Sequence, residues 1–254
     1  MIKTKLTFLS IILMIVFSSF VFKKKIGLNV VFIGDSITHG TGPKDQSPPI
    51  FAAEFLSACN KFTDVRISNQ GVSGYTTVDF LPATHKSYNK VRAAADAFYA
   101  DKQSQLVFSI MLGTNDSAIK GPSGAPVSHF DYRKNLKIIA DSLLATYPDC
   151  KIVINYPIWY SNNTHNRGAS YMQEGLTRVK SYCPEIDALV KEYKRINSRH
   201  VFLGDKKGIS YFEKDYLTLL KPENGLDGVF YLHPNRAGDI ALGELWGKAL
   251  LKAL

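Results

Sequence analysis

The stretch Leu28-Asn29-Val30-Val31-Phe32-Ile33-Gly34-Asp35-Ser36-Ile37-Thr38 decides how the chain is read. Its first six residues are short, largely apolar and β-branched, and they stop at a glycine, which is the pattern of a buried strand. A serine just past a strand and before a helix presents its hydroxyl at the sheet edge and its backbone N–H toward a bound carbonyl. The same residues also read as a Gly turn in which Asp35 or Ser36 caps the following helix. Position along the chain separates these readings less well than the company these residues keep.

Four further runs share the strand pattern: Val65–Asn69, Leu106–Leu112, Ile152–Tyr156 and Val201–Leu203. Between and after them, Pro49–Cys59, Tyr88–Ala100, Asp131–Tyr147, Ala169–Ile196 and Ala237–Leu254 carry apolar residues at helical spacing. Within the third, Leu136, Ile139, Ala140, Leu143 and Leu144 form one face. Repeated strand–helix units predict an α/β fold with a parallel sheet covered on both faces. No repeat, low-complexity tract or interdomain linker interrupts them, so residues 26–254 read as one domain. Reactive groups in such sheets collect at the carboxyl ends of the strands.

Composition agrees. The chain has 254 residues, 45% hydrophobic and 21% charged, which excludes a disordered, collagen-like or coiled-coil protein. Its three cysteines (Cys59, Cys150, Cys183) lack the spacing of a disulfide scaffold or zinc ribbon. The net charge of +9 is not evidence for a nucleic-acid partner, because five lysines of residues 1–25 supply more than half of it. Those residues are organised as an address: Lys3 and Lys5, an uncharged run Leu6–Phe22, then Lys23, Lys24 and Lys25. Residues 1–25 therefore read as a signal peptide or N-terminal anchor, and the protein as exported to a periplasmic or extracellular location. Membrane contact is expected only if that segment is retained.

The ends of the other strands carry the chemistry. The second passes into Asn69-Gln70-Gly71-Val72-Ser73-Gly74, where Gly71 lets the backbone approach a ligand and direct an N–H at it. The third passes into Gly113-Thr114-Asn115-Asp116, where Asn115 offers a side-chain amide. Late in the chain comes His233-Pro234-Asn235, with Asp227 six residues before the histidine. Each alone is an ordinary turn or cap. Together, in order, they supply a nucleophile, oxyanion donors and a base, the parts that acyl transfer needs.

These four blocks resemble those of the SGNH hydrolases, also called GDSL esterases, over essentially the whole chain after residue 25. The resemblance implies a three-layer α/β/α sandwich with a flavodoxin-like, five-stranded parallel sheet, and hydrolysis with no metal or organic cofactor. It implies Ser36 as nucleophile, His233 as base, and an oxyanion hole formed by the N–H groups of Ser36 and Gly71 with the Asn115 amide. The family's acid usually stands three residues before the histidine, where this chain has Phe230. Asp227 is the nearest carboxylate and the expected third member; a Ser–His pair oriented by a backbone carbonyl is the alternative.

The stretch Ile110–Ser117 with Tyr132–Leu136 looks most like the sialate O-acetylesterase-like and carbohydrate acetylesterase branch, implying removal of O-acetyl groups from glycans or another small ester. Trp159, Tyr160 and Tyr231 are candidates for a sugar-stacking wall. The loops Lys120–Ser128 and Ser161–Gly168 are polar or small and lack the broad apolar entrance of a long-chain lipase. A lysophospholipase- or thioesterase-type enzyme and a non-catalytic glycan-binding relative remain the alternatives. His39, His85, His129, His165 and His200 are too dispersed for a metal site. Neither Gly-x-Gly-x-x-Gly nor a Gly-Lys-Ser/Thr loop is present, which argues against nucleotide binding.

Overall fold

The computed structural model describes residues 25–43, 46–196 and 199–254. The expected signal or anchor segment lies outside the described residues, except for Lys25. Among the described residues no helix is long and apolar enough to cross a membrane.

Strand β1 (Gly27–Gly34) is buried along its whole length, as its uninterrupted apolar run requires. It lies between β2 (Val65–Gly71) and β3 (Ser104–Met111), and β4 (Lys151–Ile154) and β5 (Val201–Leu203) extend the sheet beyond β3. The order is β2-β1-β3-β4-β5, with every pairing parallel. Of the three strands that meet here, β1 ends level with both neighbours: Gly34 pairs with Gly71 on one side and Met111 on the other. The chain leaves β1 toward β2 and then crosses to β3, so the topological switch point lies at this carboxyl edge, where open α/β sheets hold their ligands.

Helices cover both faces. Helix α1 (Ser36–His39) is a single turn at the end of β1. Helix α2 (Pro48–Ala58) packs on the last helix, α8 (Arg236–Ala253), and Trp246 of α8 stacks on Phe32 of β1 at 5.7 Å. On the other face run α3 (Tyr88–Tyr99), α4 (His129–Thr146) and α5 (Met172–Ile196), with Tyr147 beside α4 tilted onto Phe108 of β3 at 5.7 Å. The register sets Phe32 beside Ser109 and Phe108 beside Val31, so the two aromatics leave the sheet on opposite faces. The result is the three-layer α/β/α sandwich.

One part of the chain departs from the strand–helix rhythm. After the short helices α6 (Gly208–Lys214) and α7 (Tyr216–Leu219), strands β6 (Leu220–Gly225) and β7 (Gly228–Pro234) form an antiparallel hairpin separate from the main sheet. Its turn is the two residues Leu226 and Asp227. The loop after β4 holds the hairpin in place: Ser161 N–H donates to the Tyr231 carbonyl at 2.8 Å and Tyr231 N–H to Ser161 Oγ at 2.9 Å. Asn163 Nδ2 donates to the Val229 carbonyl at 2.9 Å, and Leu226 N–H to the His165 carbonyl at 2.8 Å.

Candidate active site

Ser36 is the first residue of α1, so its N–H has no acceptor within the helix. Asp35 caps that turn by accepting from Ile37 N–H at 2.9 Å. It is wholly buried, and burial raises its carboxyl to about 6. Ser36 Oγ lies 2.9 Å from His233 Nε2. On the far side of the ring, Nδ1 is 2.8 Å and 3.0 Å from the two oxygens of Glu223, which also accepts from the His233 N–H at 3.2 Å. A carboxylate only accepts, so Nδ1 carries the ring proton and Nε2 is left to accept from the serine. Burial acts to raise Glu223, but the hydrogen bonds and charge of His233 outweigh it and hold the carboxyl below the usual glutamate range.

Glu223 therefore occupies the place expected of Asp227. The residues between Asp227 and His233 are a strand rather than a loop. At about 3.3 Å per residue, β7 carries the turn end of the hairpin well over 15 Å from the histidine. Asp227 stands at that end and pairs with His165 Nδ1 at 2.6 Å. Phe230, in the family's usual acid position, is 2% exposed and belongs to the core. The hairpin folds Glu223 back beside the histidine, near a register shift between Leu220 and Pro222. A sequence signal was available: Asn224-Gly225-Leu226-Asp227-Gly228 followed by Val-Phe-Tyr-Leu reads as a hairpin turn and strand.

Asn115 opens the turn after β3, and its Nδ2 donates one hydrogen to the Tyr75 carbonyl at 3.0 Å, while the second has no partner among the described residues. Asp116 beside it is fully buried and accepts from both the N–H and hydroxyl of Thr77, and burial pushes its carboxyl up to about 7. Asp35 and Asp116 thus hold the two loops.

Gly71, expected as an oxyanion donor, does not offer an open N–H to the cavity. Gly71 is the last residue of β2, and its N–H donates to Asn69 Oδ1 at 2.9 Å. Its lack of a side chain serves packing, since a Cβ there would collide with the backbone of His39. Three residues on, Gly74 borders the same cavity as Ser36, Asn115 and His233. Its φ of +78° suits glycine, and its N–H has no partner among the described residues.

That cavity measures about 360 Å³ and is open to solvent, with Ser73, Gly121, Asn166 and Tyr171 among its walls. No Lys, Arg, Asp or Glu side chain is among the residues that line it. The expected aromatic wall is elsewhere. Trp159 packs on Tyr216 at 5.2 Å, Tyr216 meets Tyr231 edge-on at 4.9 Å, and Tyr160 is buried with its hydroxyl on Ser117 Oγ at 2.7 Å. Trp159 and Tyr231 are joined through Tyr216 at the hairpin, Tyr160 packs on Ser117 and Tyr171, and Tyr171 is the aromatic that reaches the cavity. Of the sequence candidates, the structure brings together Ser36, Asn115 and His233. A larger hollow of about 520 Å³ lies between α6 and α8, but it has no paired nucleophile and base. Among the described residues no cluster of three or more His, Cys, Asp or Glu side chains is placed to hold a metal.

The model of the GDSL-like lipase/acylhydrolase family matches residues 32–239. Among solved structures, the chain is similar to Est24, a carbohydrate acetylesterase from Sinorhizobium meliloti, at 17% identity and a TM-score of 0.61, covering 89% of this chain and 100% of that one. It is likewise similar to an aryl esterase from M. smegmatis, at 18% identity and a TM-score of 0.59, with the same coverage. A Parabacteroides merdae protein described as a GDSL-like lipase aligns at 19% identity and a TM-score of 0.59, covering 89% of this chain and 96% of that one. At these identities the likeness is one of fold. No curated protein sequence matches the chain.

Proposed function

The chain belongs to the GDSL-like lipase/acylhydrolase family, the SGNH hydrolases, and from that premise we propose that it is an exported serine esterase removing short acyl groups, above all O-acetyl, from carbohydrates. The observation that carries the reading is the continuous chain from Ser36 Oγ through the His233 ring to Glu223, at 2.9 Å and 2.8 Å.

In this mechanism Ser36 Oγ attacks the ester carbonyl carbon while its proton passes to His233 Nε2. The carbonyl oxygen becomes an oxyanion facing the N–H groups of Ser36 and Gly74 and the free amide hydrogen of Asn115. Collapse breaks the bond to the sugar oxygen, which leaves with the proton from Nε2. Water then attacks the acyl-serine, giving its proton to Nε2. Acetate departs as the Ser36 oxygen recovers a proton from the histidine. Glu223 keeps Nδ1 protonated and balances the imidazolium formed in both halves.

The short-acyl preference is supported by the modest size of the cavity, about 360 Å³, and by Ser73, Asn166 and Gly121 on its walls. Lys120 and Arg167, each adjacent to a cavity residue and exposed, have no acidic partner among the described residues, which supports an acidic glycan. The basic-then-apolar layout of residues 3–25 supports export.

Paired rates on p-nitrophenyl acetate and octanoate test the reading. Acetate is expected to be hydrolysed much faster, and Ser36→Ala to lower turnover by at least about 10⁴-fold. Faster octanoate hydrolysis would transfer the assignment to the lysophospholipase or thioesterase class. Acetylated pectin against acetylated xylan then separates acidic from neutral glycans. An acidic preference should fade at high salt.

A further inference from the structure

The Asn115 amide is held by more than the Tyr75 carbonyl. Its Oδ1 accepts a hydrogen bond from the Tyr171 hydroxyl at 2.6 Å. The orientation of the amide follows from the partners. Tyr75 contributes a carbonyl, which only accepts, so Nδ2 must face it and Oδ1 must face Tyr171; the phenol is then the donor. The other amide hydrogen has no partner among the described residues, and Asn115 borders the same cavity as Ser36 and His233.

Tyr171 is itself fixed. It is 3% exposed, and its ring meets Tyr160 edge-on at 5.3 Å. Its N–H donates to the Thr164 carbonyl at 3.0 Å, and its carbonyl accepts from Gly175 N–H at 2.7 Å. Met172, the next residue, has a φ of +55°, an uncommon conformation for a side chain of its size. The chain thus enters α5 through an unfavourable turn that seats the phenol against the asparagine. Burial raises the phenol far above the ordinary tyrosine range, so it keeps its proton at any working pH.

We propose that Tyr171 is the positioning residue of the oxyanion hole: its hydroxyl locks the Asn115 amide so that the remaining N–H points at the developing oxyanion, and polarises that N–H as a donor. The proposal rests on the serine esterase reading. Tyr171 acts through Asn115, and its effect belongs in the transition state more than in substrate binding.

The test is a double-mutant cycle on p-nitrophenyl acetate with the full chain: wild type, Tyr171→Phe, Asn115→Ala and the double variant, with thermal melts of all four. Tyr171→Phe keeps the ring and removes the donor. It should lower kcat about tenfold with KM nearly unchanged, the scale of one buried hydrogen bond. Asn115→Ala should lower kcat by about 10²–10³. Adding Tyr171→Phe to Asn115→Ala should cost nothing further in kcat, which a merely structural tyrosine would not reproduce. Wild-type kcat in Tyr171→Phe, or the same loss in both backgrounds, would overturn the proposal.

A second readout does not depend on turnover. The Asn115 side-chain amide, assigned in ¹⁵N spectra by its disappearance in Asn115→Ala, should be sharp and slow to exchange in wild type and broadened or shifted in Tyr171→Phe. An Asn115 signal unchanged by Tyr171→Phe would overturn the positioning role. Absence of wild-type hydrolysis alongside a displaced amide would instead reject the esterase reading while the contact itself stood.

Discussion

Two regions meet at the candidate site, and they are built on different rules. At the sheet edge, Ser36, Gly74 and Asn115 each follow a parallel strand by a few residues, so strand register alone brings them together. The hairpin contributes Glu223 and His233, ten residues apart, and neither touches the sheet through a ladder hydrogen bond. Their position depends on a two-residue turn and on side contacts with the loop Ser161–His165. At the sheet edge, sequence order and spatial order agree. In the hairpin, the closest carboxylate in sequence is at the wrong end of a strand, and a more distant one takes its place.

The sharpest way to break this comparison is to exchange the two acids. Glu223→Gln should lower kcat by about 10³–10⁴-fold on p-nitrophenyl acetate, because a glutamine neither fixes the Nδ1 proton nor balances the imidazolium. Asp227→Asn removes one side of a half-exposed pair with His165 and should change kcat by less than about threefold. Kinetics on the two variants side by side decide the point. A large loss in Asp227→Asn with a small one in Glu223→Gln would return the acid to the turn and contradict the geometry.

This contrast also shows what the sequence made legible. The five parallel strands and five long helices follow from apolar runs and helical spacing, and the observed elements match them within a few residues at their ends. Ser36 and Asn115 were readable because each lies directly after a strand whose apolar run is unmistakable. His233 was readable from its Pro-Asn neighbours, and Asn235 does cap α8, accepting from Gly238 N–H at 3.1 Å. Glu223 was not, because nothing local marks it. Its role comes from antiparallel pairing across the Gly225–Gly228 turn, which outweighs simple proximity along the chain. The choice of Gly71 over Gly74 fails for a different reason: both glycines allow close backbone approach, and only the bond from Gly71 N–H to Asn69 Oδ1 tells them apart. Trp159, Tyr160 and Tyr231 show that an aromatic near a site in sequence is as readily a brace as a wall.

Those two glycines sharpen the comparison within the sheet edge. Gly71→Ala places a methyl against the backbone of His39 and Asp35, the turn that carries Ser36. It should destabilise the fold by about 1–3 kcal/mol, and activity falls because the nucleophile shifts. A Cβ at Gly74 meets nothing within 4 Å, so Gly74→Ala carries only the strain of its positive φ, on the order of 1 kcal/mol. Its N–H orientation is what suffers, and kcat should fall about tenfold with a nearly normal melt. Denaturant unfolding beside kinetics separates the two. Equal stability losses would erase the distinction between a packing glycine and a donor glycine.

The smallest effect is in the pH dependence of stability, where the two regions have opposite signs. Asp35 and Asp116, behind the sheet edge, are raised by burial to about 6 and about 7. An unfolded aspartate titrates near 3.9, so the native state binds these protons more tightly. Their contribution is fully present below that value and is lost as pH rises through 6 to 7. Glu223 in the hairpin is lowered by His233, and its contribution is present above the unfolded glutamate value and lost as pH falls through its native one. Asp239 of α8, raised by burial to about 7, acts with the same sign, so Tm should decline as pH rises from about 5 to 7. The decline is roughly 2–4 °C for each kcal/mol at this chain length. Asp116→Asn cannot ionise and should make the slope shallower, leaving the part due to Asp35 and Asp239. Glu223→Gln should leave the slope alone and lower Tm at the neutral end as much as at pH 5. Parallel melting curves for wild type and Asp116→Asn would mean that Asp116 keeps its charge when buried, its bonds from Thr77 outweighing the loss of water.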